Sequence, residues 1–479
     1  MEHIHLIGIG GTGLSAIAQV LLESGYQVSG SDRAFSPLAA RVQAAGAQVF
    51  VGHHTDNIRG ANVVVRSSAI PDTNPEVKAA QAAGIPVLKR ADFLKRLTAG
   101  KWTLAIAGTH GKTTTTAMVA WLLNQLHQDP SYIIGGVAAN LGANAHAGRG
   151  PYFVIEADEY DHMFLGLNPE IAIITNIEHD HPDFYPTEAD YFAAFRAFSR
   201  QVPPKGLLLY CVDDSGASRL VEEIHPNGCR IVGYGIRTAG QPYRAQEIKP
   251  VAGSGMQFEA VIRNQTVLVR LQVPGEHNVR NALAALAVAD ELSLPLDEAV
   301  HALEEFHGTG RRFEIFPTAG GITLIDDYAH HPTEIRATVA AARERYPEQR
   351  IWTVWQPHTY SRTRMLHADF ARAFEHADRV IVTEIYPARE PAPADGFSAS
   401  RVAVEMNHPA AQFISELTQV ADYLLAELQT GDVVLVLSAG DADWITRHLL
   451  EALPDRFDSN PYRGSSPVPQ RFLNRRTWR

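Results

Sequence analysis

The chain has 479 residues, and at about 150 residues per domain this length predicts about three domains. Hydrophobic residues make up 45% and charged residues 20% of the sequence, a composition that is typical of globular proteins and excludes a wholly disordered chain. The formal net charge of −11 argues against binding through a broad basic surface, so we expect no nucleic-acid partner.

The cysteine content and the apolar runs bear on location. Cys211 and Cys229 are the only cysteines, so the sequence offers neither a disulfide framework nor a cysteine zinc site, which favours a reducing environment. The N-terminus has no secretory signal pattern, and no apolar run approaches the ~20 residues that cross a bilayer. We therefore expect a cytoplasmic protein that has no membrane partner.

Short apolar runs alternate with longer amphipathic stretches along the first part of the chain. Strands are predicted at 4–9, 26–29, 49–52 and 62–67. This β-α-β order predicts a parallel sheet covered by helices. The order fades in a polar stretch before Gly100, so the first domain is predicted to span residues 1–98.

The alternation continues in two further units. The second unit, predicted at 99–311, has strands at 103–107, 153–155 and 171–175, antiparallel β-structure at 257–272 and a helix at 278–291. The third unit, predicted at 312–455, has strands at 323–325, 352–355, 380–383 and 433–437. Beyond Pro454 the sequence is rich in Pro, Ser and Arg and lacks periodicity, so 456–479 is predicted to be a disordered tail.

A first glycine loop lies between a predicted strand and a predicted helix. Gly8-Ile9-Gly10-Gly11-Thr12-Gly13 matches the G-x-G-x-x-G pattern, and Asp32 follows at the end of the second strand. Glycines let the backbone approach a pyrophosphate, and the helix N-terminus favours its negative charge. The motif alone leaves open an NAD(P)-dependent oxidoreductase, another diphosphate ligand, or a tight turn without a ligand.

A second glycine loop opens the second unit. Gly108-Thr109-His110-Gly111-Lys112-Thr113-Thr114 departs from the standard phosphate-loop pattern, because Ile106 stands where the first glycine is expected. Backbone N–H groups can still surround a β-phosphate, Lys112 can reach the β- and γ-phosphate oxygens, and Thr113 can ligate Mg²⁺. The alternative is an ordinary helix start capped by threonine.

Candidate metal ligands follow the next strands. Glu156 comes directly after the strand at 153–155, and His181 lies in the polar segment that follows the strand at 171–175. Glu156 is predicted to bind one Mg²⁺ together with Thr113, and His181 a second. A zinc site made by His179, His181 and Asp183 is an alternative, although the sequence has no H-E-x-x-H motif and no thiolate ligands. A polar loop without a metal is the other alternative.

Two asparagines lie at the start of the predicted helix at 278–291. Asn278 and Asn281 are three residues apart and therefore share a helix face. An asparagine can donate to and accept from an adenine edge with one side chain, but asparagines also cap helices often. Both interpretations stay open from the residues alone.

Two different nucleotide loops in one chain disfavour a simple dehydrogenase. The combination resembles the Mur ligases, ATP-dependent amide-forming enzymes of peptidoglycan precursor synthesis, over about residues 3 to 450. The motifs that carry the resemblance are 8–15, 29–32, 67–70, 108–113, 156–159, 277–281, 310–313, 326–334 and 356–364. It implies a three-domain α/β architecture: a Rossmann-like N-terminal domain, a central P-loop ATPase-type α/β domain and a Rossmann-like C-terminal domain.

The resemblance also implies ligands for each part of the chain. The first loop would hold a UDP-sugar rather than a dinucleotide, with binding residues Gly10, Gly11, Thr12, Gly13, Asp32, Ser67 and Ser68. ATP would contact Gly108, Thr109, His110, Gly111, Lys112, Thr113, Thr114, His277, Asn278, Asn281, Arg311, Arg312 and Asp326. Tyr328, His358 and Arg362 would orient the amino acid, and the residues implied in catalysis are Lys112, Glu156, His181, His358 and Arg362.

The run at 356–364 bears on the choice within the family. It resembles members that add L-alanine, whereas we do not expect it in the recycling members that add a whole tripeptide. Thr359 is a departure, because many alanine-adding members carry arginine there. The implied reaction joins L-alanine to the lactyl carboxylate of UDP-N-acetylmuramate through an acyl phosphate, with cleavage of ATP to ADP and phosphate. Addition of a tripeptide, an ATP-driven kinase or switch and, less favoured, an NAD(P)-dependent oxidoreductase are the alternatives.

The residues implied in binding come from three domains, which predicts that the domains close before the reaction. Closure would keep water from a labile acyl phosphate. A monomer or a homodimer is expected.

Overall fold

The computed structural model describes residues 1–224, 228–406 and 408–457, and these residues form three separate sheets. The predicted α/β class with three sheet-containing units is confirmed. The last helix continues through Pro454 to Phe457, so Arg456 and Phe457, predicted to begin a disordered tail, are helical. The rest of the predicted tail, 458–479, lies outside the described residues.

The first sheet is parallel, with strand order β3-β2-β1-β4-β5. Its elements are β1 (His3–Ile7), α1 (Thr12–Glu23), β2 (Gln27–Asp32), α2 (Pro37–Ala44), β3 (Gln48–Val51), β4 (Val63–Arg66), α3 (Pro75–Ala82), β5 (Val87–Lys89) and α4 (Arg90–Leu97). Every residue of the central strand β1 is buried, as its apolar run predicts. The strand order reverses beside β1, so the loops after β1, β2 and β4 meet at one edge of the sheet.

The second sheet has ten strands in the order β15-β14-β13-β12-β11-β10-β6-β9-β7-β8. Its elements are β6 (Trp102–Ala107), α5 (Lys112–Gln125), β7 (Ser131–Ala138), β8 (Ala143–His146), β9 (Tyr152–Glu156), β10 (Ile171–Ile174), α6 (Glu188–Ser199), β11 (Leu207–Cys211), α7 (Ser215–Glu223), β12 (Arg230–Gly235), β13 (Tyr243–Pro250), β14 (Met256–Ile262), β15 (Gln265–Leu271), α8 (Glu276–Glu291) and α9 (Leu296–Glu304). Since β9, β6 and β10 are adjacent and parallel, the second glycine loop lies between Glu156 and the segment that holds His181.

The third sheet has the order β16-β17-β21-β18-β19-β20, with only the edge strand β16 antiparallel to its neighbour. Its elements are β16 (Glu314–Pro317), β17 (Thr323–Asp327), α10 (Pro332–Arg345), β18 (Ile351–Gln356), α11 (Tyr360–Met365), α12 (His367–Phe370), β19 (Arg379–Val382), α13 (Ala399–Glu405), β20 (Ala411–Phe413), α14 (Leu417–Glu427), β21 (Val433–Ser438) and α15 (Asp443–Phe457). The segments that carry Tyr328 and His358 follow β17 and β18 and face the central domain.

The first and second domains share one buried apolar cluster, and polar contacts cross both domain boundaries. Between the first and second domains, Glu23 Oε2 lies 2.8 Å from His146 Nδ1 and accepts the Ala147 N–H at 2.7 Å. Between the second and third domains, Arg362 Nε donates to Asp180 Oδ1 at 2.6 Å. Within the described ranges, no helix has the length and apolar character needed to cross a membrane.

Candidate active site

The first glycine loop is held in place by the carboxylate and hydroxyl groups that follow β2. Asp32 Oδ2 accepts the Gly10 N–H at 2.9 Å, and Ser36 Oγ donates to Gly10 O at 3.0 Å. A Cβ on Gly10 would lie 2.6 Å from Ser36 Oγ, so glycine is needed there for close packing. Asp32 therefore fixes the loop, and its predicted contact with a ligand stays a prediction.

The other residues predicted to bind the UDP-sugar surround this loop. Gly11 is the N-cap of α1 and Thr12 its first residue, so the N–H groups of the first helical turn point out of the helix start. Ser67 lies against Gly8, where a Cβ would be 3.1 Å from Ser67 Cβ, while Ser68 is exposed. These positions fit an anion site.

Arg90 also lies at the first glycine loop, although the sequence motifs did not indicate it. A Cβ on Gly13 would lie 1.8 Å from Arg90 Nη1, so the guanidinium covers the first turn of α1. Arg90 Nη2 is also 3.6 Å from Asp158 Oδ2 of the central domain. A lone arginine at the start of α4 carries no sequence signal, and only the fold brings it to Gly13.

In the second glycine loop, the lysine ammonium lies across the loop backbone. Gly108 and Gly111 have φ of +140° and +80°, which favour glycine. Lys112 Nζ donates to Gly108 O at 2.5 Å and to Thr109 O at 3.0 Å, and its distance to Glu159 Oε2 is 3.0 Å. Thr114 follows in the first turn of α5.

Glu159 is the buried carboxylate that holds Lys112. Burial alone would lower the pKa of Lys112, but the carboxylates of Glu159, Asp158 and Glu156 outweigh burial and raise it. The ammonium is therefore charged at neutral pH. Glu159 Oε1 is also 3.6 Å from His181 Nε2, so one carboxylate lies between the predicted ATP residue and a predicted metal ligand.

The predicted magnesium residues fall into two adjacent groups. Thr113 Oγ1 donates to Glu156 Oε1 at 3.1 Å, and the Gly135 N–H donates to Glu156 Oε2 at 2.6 Å. Burial raises the pKa of Glu156, although the charges of Lys112 and Arg312 oppose that rise. The hydroxyl and carboxylate oxygens suit Mg²⁺. His181 lies beside Glu159 instead, with an uncommon φ of +55°.

The structure does not bring together the alternative zinc ligands. His179 Nε2 is 2.9 Å from Tyr185 O, and Asp183 accepts the Tyr160 hydroxyl at 3.0 Å. In the described part of the chain, the one group of three or more potential metal ligands is His110, Glu178 and His331. A zinc site of His179, His181 and Asp183 is thus unsupported.

The two asparagines at the start of α8 pack against the second glycine loop and the first turn of α5. Asn281 Oδ1 accepts the Thr115 hydroxyl at 3.0 Å, and Asn281 Nδ2 donates to Asn278 Oδ1 at 3.1 Å. A Cβ on Gly111 would lie 2.9 Å from Asn281 Oδ1. Asn278 Nδ2 donates to Pro274 O at 2.7 Å and lies 3.2 Å from His277 Nε2. Contact of these side chains with adenine stays a prediction.

Two arginines flank Tyr328 where the central domain meets the C-terminal domain. Their guanidinium carbons lie 5.2 Å (Arg311) and 5.0 Å (Arg312) from the ring centroid. Arg311 Nη2 donates to Ser438 O at 2.6 Å, which ties it to the C-terminal sheet. Arg312 Nη1 is 3.6 Å from Glu334 Oε1 and interacts electrostatically with Glu156, one of the predicted magnesium ligands.

Asp326 is a buried carboxyl beside Arg311. Burial raises the pKa of Asp326 to about 7, although Arg311 Nε is 3.5 Å away. Its Oδ1 has no hydrogen-bond partner within the described ranges. The predicted contact of Asp326 with ATP stays a prediction.

Arg362 is at the centre of the predicted amino-acid site. Beside its bond to Asp180, Arg362 Nη1 donates to His358 Nδ1 at 2.9 Å, and Nη2 lies 3.5 Å from His181 Nδ1. Burial first and Arg362 second lower the pKa of His358 to about 4. Neutral His358 therefore accepts at Nδ1 and carries its proton on Nε2, where it can donate to a ligand.

His330 has the opposite arrangement of its ring nitrogens. Its Nδ1 donates to Tyr328 O at 2.9 Å, which leaves Nε2 as an acceptor. Burial lowers the pKa of His330 to about 3, so the ring is neutral. The sequence motif contained His330, but its spacing did not distinguish it from His331. Only the geometry assigns His330 to the site, 6.0 Å from the His358 ring.

Three family models match consecutive parts of the chain. The catalytic domain of the Mur ligase family matches residues 3–102, the Mur ligase middle domain matches 106–289, and the Mur ligase glutamate ligase domain matches 311–440. The chain belongs to the Mur ligase family.

Individual Mur ligases match over most of their length. A UDP-N-acetylmuramate–L-alanine ligase of Sorangium cellulosum is 43% identical over 472 residues, which cover 97% of this chain and 99% of the relative. A ligase of the same name from Laribacter hongkongensis is 44% identical over 454 residues, with 92% and 95% covered.

Solved structures of Mur ligases agree with the fold. The UDP-N-acetylmuramate–alanine ligase of Thermotoga maritima is 30% identical, with a TM-score of 0.79 and coverage of 95% of this chain and 100% of that one. A murein peptide ligase from Psychrobacter arcticus is 25% identical, with a TM-score of 0.70 and coverage of 95% and 99%. The predicted family and its three-domain architecture are confirmed, while the boundaries at 98, 311 and 455 stay predictions.

Proposed function

We propose that this Mur ligase joins L-alanine to the lactyl carboxylate of UDP-N-acetylmuramate, with cleavage of ATP to ADP and phosphate. The observation that carries the proposal is a continuous line of contacts from Lys112 through Glu159, His181 and Arg362. This line joins the ATP loop to the amino-acid site across two domains. The names of the full-length relatives support the same reaction. Because ATP and nucleotide sugars are cytoplasmic compounds, we propose a cytoplasmic location.

Phosphoryl transfer begins with attack of the lactyl carboxylate oxygen on the γ-phosphate, which forms an acyl phosphate and releases ADP. Charge repulsion between the two anions opposes this step. Lys112 and Arg312 would reduce that repulsion from two sides of the loop. Thr113 and Glu156 would hold one Mg²⁺ and His181 a second, and the metal would supply charge stabilisation of the phosphates.

Amide formation needs a neutral amine in front of the acyl carbon. Arg362 has N–H groups left over to bind the alanine carboxylate, and the His358 Nε2–H can donate to a ligand oxygen. We propose that His330 Nε2 accepts a hydrogen bond from the amine N–H and so orients the amine toward the acyl carbon. The proton that the amine loses can pass to an oxygen of the departing phosphate. Phosphate then leaves as the carbonyl re-forms. Tyr328, held between two arginines, would close one side of the site.

Phosphate release with UDP-N-acetylmuramate tests the proposal, with alanine, glycine, serine or a tripeptide added in turn. We expect release to depend on an added amino acid and to be fastest with L-alanine. Release that depends on the tripeptide would indicate a recycling ligase instead. Release without any amine acceptor would indicate an ATP-driven kinase or switch.

A further inference from the structure

A second group of potential metal ligands lies beside the ATP loop, outside the residues used above for Mg²⁺. His110 Nε2 is 3.0 Å from Glu178 Oε2, which is 3.7 Å from His331 Nδ1. One ligand atom from each residue lies within 4.8 Å of the other two. The centroids of the two imidazole rings are 4.7 Å apart. Two imidazoles and a carboxylate can therefore converge on one point.

Neighbouring groups orient these ligands as they do in metal sites. His110 Nδ1 lies 3.3 Å from Glu334 Oε1, the carboxylate–histidine contact that fixes the ring of a metal-binding histidine. Thr333 Oγ1 donates to Glu178 Oε1 at 2.9 Å, while Glu178 Oε2 lies 3.0 Å from His110 Nε2, and a metal bound between these two atoms would displace the proton they share. These contacts fix the orientation of two of the three ligands.

His331 is the buried member of the group. Its side chain is 1% exposed, and its Nε2 has no hydrogen-bond partner among the described residues. Its Nδ1 accepts the Thr333 N–H at 3.3 Å, a long hydrogen bond. An ion at Nδ1 would replace this weak contact, which is a small cost against a metal–nitrogen bond.

We propose that His110, Glu178 and His331 bind a divalent ion that prefers nitrogen ligands, such as Zn²⁺ or Co²⁺. Mg²⁺ prefers oxygen ligands in octahedral geometry, whereas imidazole suits zinc and cobalt. The Glu178 side chain is 42% exposed, so water can enter and complete a tetrahedral shell.

The three proposed ligands come from two domains, so a bound ion would link those domains. His110 and Glu178 belong to the central domain, and His331 is the N-cap of α10 in the C-terminal domain. An ion on all three would cross-link these domains at the loop that carries Lys112. Since product release requires the domains to separate, a bound ion would inhibit turnover.

Titration of the full-length protein with Co²⁺ in excess Mg²⁺ tests the site, with the visible absorption of the bound ion as readout. We expect binding at a one-to-one ratio, at least tenfold weaker in both Glu178→Gln and His331→Asn. Glutamine keeps an acceptor for Thr333, and asparagine is a good helix N-cap. Circular dichroism confirms that each variant is folded.

Glu156→Gln and His179→Gln are the matched controls. The inference predicts that both controls bind Co²⁺ as the unchanged protein does. Absence of a visible band, or a band lost in a control and kept in Glu178→Gln, overturns it. This readout does not depend on ligase activity, so failure of the proposed function leaves the test intact. In an active preparation, Zn²⁺ should inhibit phosphate release, with at least tenfold more needed for His331→Asn.

Discussion

Arg362 and Asp180 form an ion pair whose partners come from different domains and are both almost fully buried. Their side chains are 3% and 4% exposed. Burial alone would raise the pKa of Asp180, but Arg362 and the nearby histidines hold it well below its usual range. Removing one partner of a buried pair leaves an uncompensated charge, which costs about 3–5 kcal/mol. Asp180 is thus suited to position the Arg362 guanidinium.

Asp180→Asn should raise the KM for alanine at least tenfold, because Arg362 loses the carboxylate that orients it. The KM for ATP should change much less, since the Lys112 loop is unaffected. Steady-state phosphate release with each substrate varied measures both constants. Asp183→Asn is the control, because it removes a carboxylate charge near Arg362 but leaves the Arg362–Asp180 hydrogen bond in place. Equal effects of the two substitutions on the KM for alanine would contradict the positioning role.

His110 makes stability depend on pH. Burial alone would lower its pKa, but Glu334 and Glu178 outweigh burial and raise it to about 9 from the ordinary 6.5. The stabilising contribution of this group is complete below pH 6.5 and is lost as the pH rises through about 9. On this basis the free energy of unfolding should fall by on the order of 3 kcal/mol across that interval.

Urea denaturation across this pH range measures that fall, and His110→Gln should lack most of it. Glutamine keeps a polar side chain at position 110 but does not titrate in this interval. A pH dependence equal in both proteins would show that other groups are responsible.

At the scale of elements, the carboxyl ends of parallel strands hold most of the site. Glu156 is the last residue of β9, and the segments after β6 and β10 carry Lys112 and His181. The segments after β17 and β18 carry His330 and His358. In parallel sheets these ends share an edge, so residues far apart in sequence become neighbours. Strand β7 adds a backbone contribution through the Gly135 N–H, which holds Glu156.

Gly135→Ala should reduce phosphate release at least tenfold and raise the Mg²⁺ concentration required. The new Cβ would lie 2.4 Å from Glu156 Oε2, so the carboxylate must move. Gly136→Ala is the matched control, because its Cβ would lie 3.5 Å from its nearest neighbours, an ordinary contact distance. Magnesium titrations of both variants make the comparison. Similar activity in the two variants would mean that Glu156 does not need this position.

At the scale of the molecule, the C-terminal domain meets the central domain through polar contacts, and the buried apolar clusters of the two domains are separate. Arg362–Asp180, Thr333–Glu178 and His110–Glu334 all cross this boundary. Polar interfaces between domains permit relative motion. The C-terminal domain is therefore the one expected to move relative to the central domain, whereas the first and central domains share a buried apolar cluster.

Small-angle X-ray scattering should show a smaller radius of gyration when UDP-N-acetylmuramate, a non-hydrolysable ATP analogue and alanine are all present. In the proposed function the ligands contact residues of all three domains, so together they would favour the closed arrangement. Each ligand alone is the control, with a smaller change expected. A radius that stays constant with all ligands present would refute closure.

The sequence by itself determined the alternation of strands and helices and the places of the two glycine loops. Strands such as β1, β6 and β18 were predicted within about two residues, because buried apolar runs end at glycines or polar residues. The glycine loops were predictable because backbone N–H groups and a following helix start are properties of a local segment. The same holds for Lys112 and Thr113.

Only the tertiary structure decided which side chains act together. Arg90 reaches Gly13, Glu159 holds Lys112, and Asp180 pairs with Arg362 through the packing of segments that are distant in the chain. Neither spacing nor composition encodes such contacts, because they depend on strand order and on how domains meet. The tautomers of His330 and His358 were likewise set by single hydrogen bonds to a carbonyl and a guanidinium. Burial and partner identity, which fix charge and proton position, exist only once the chain has folded.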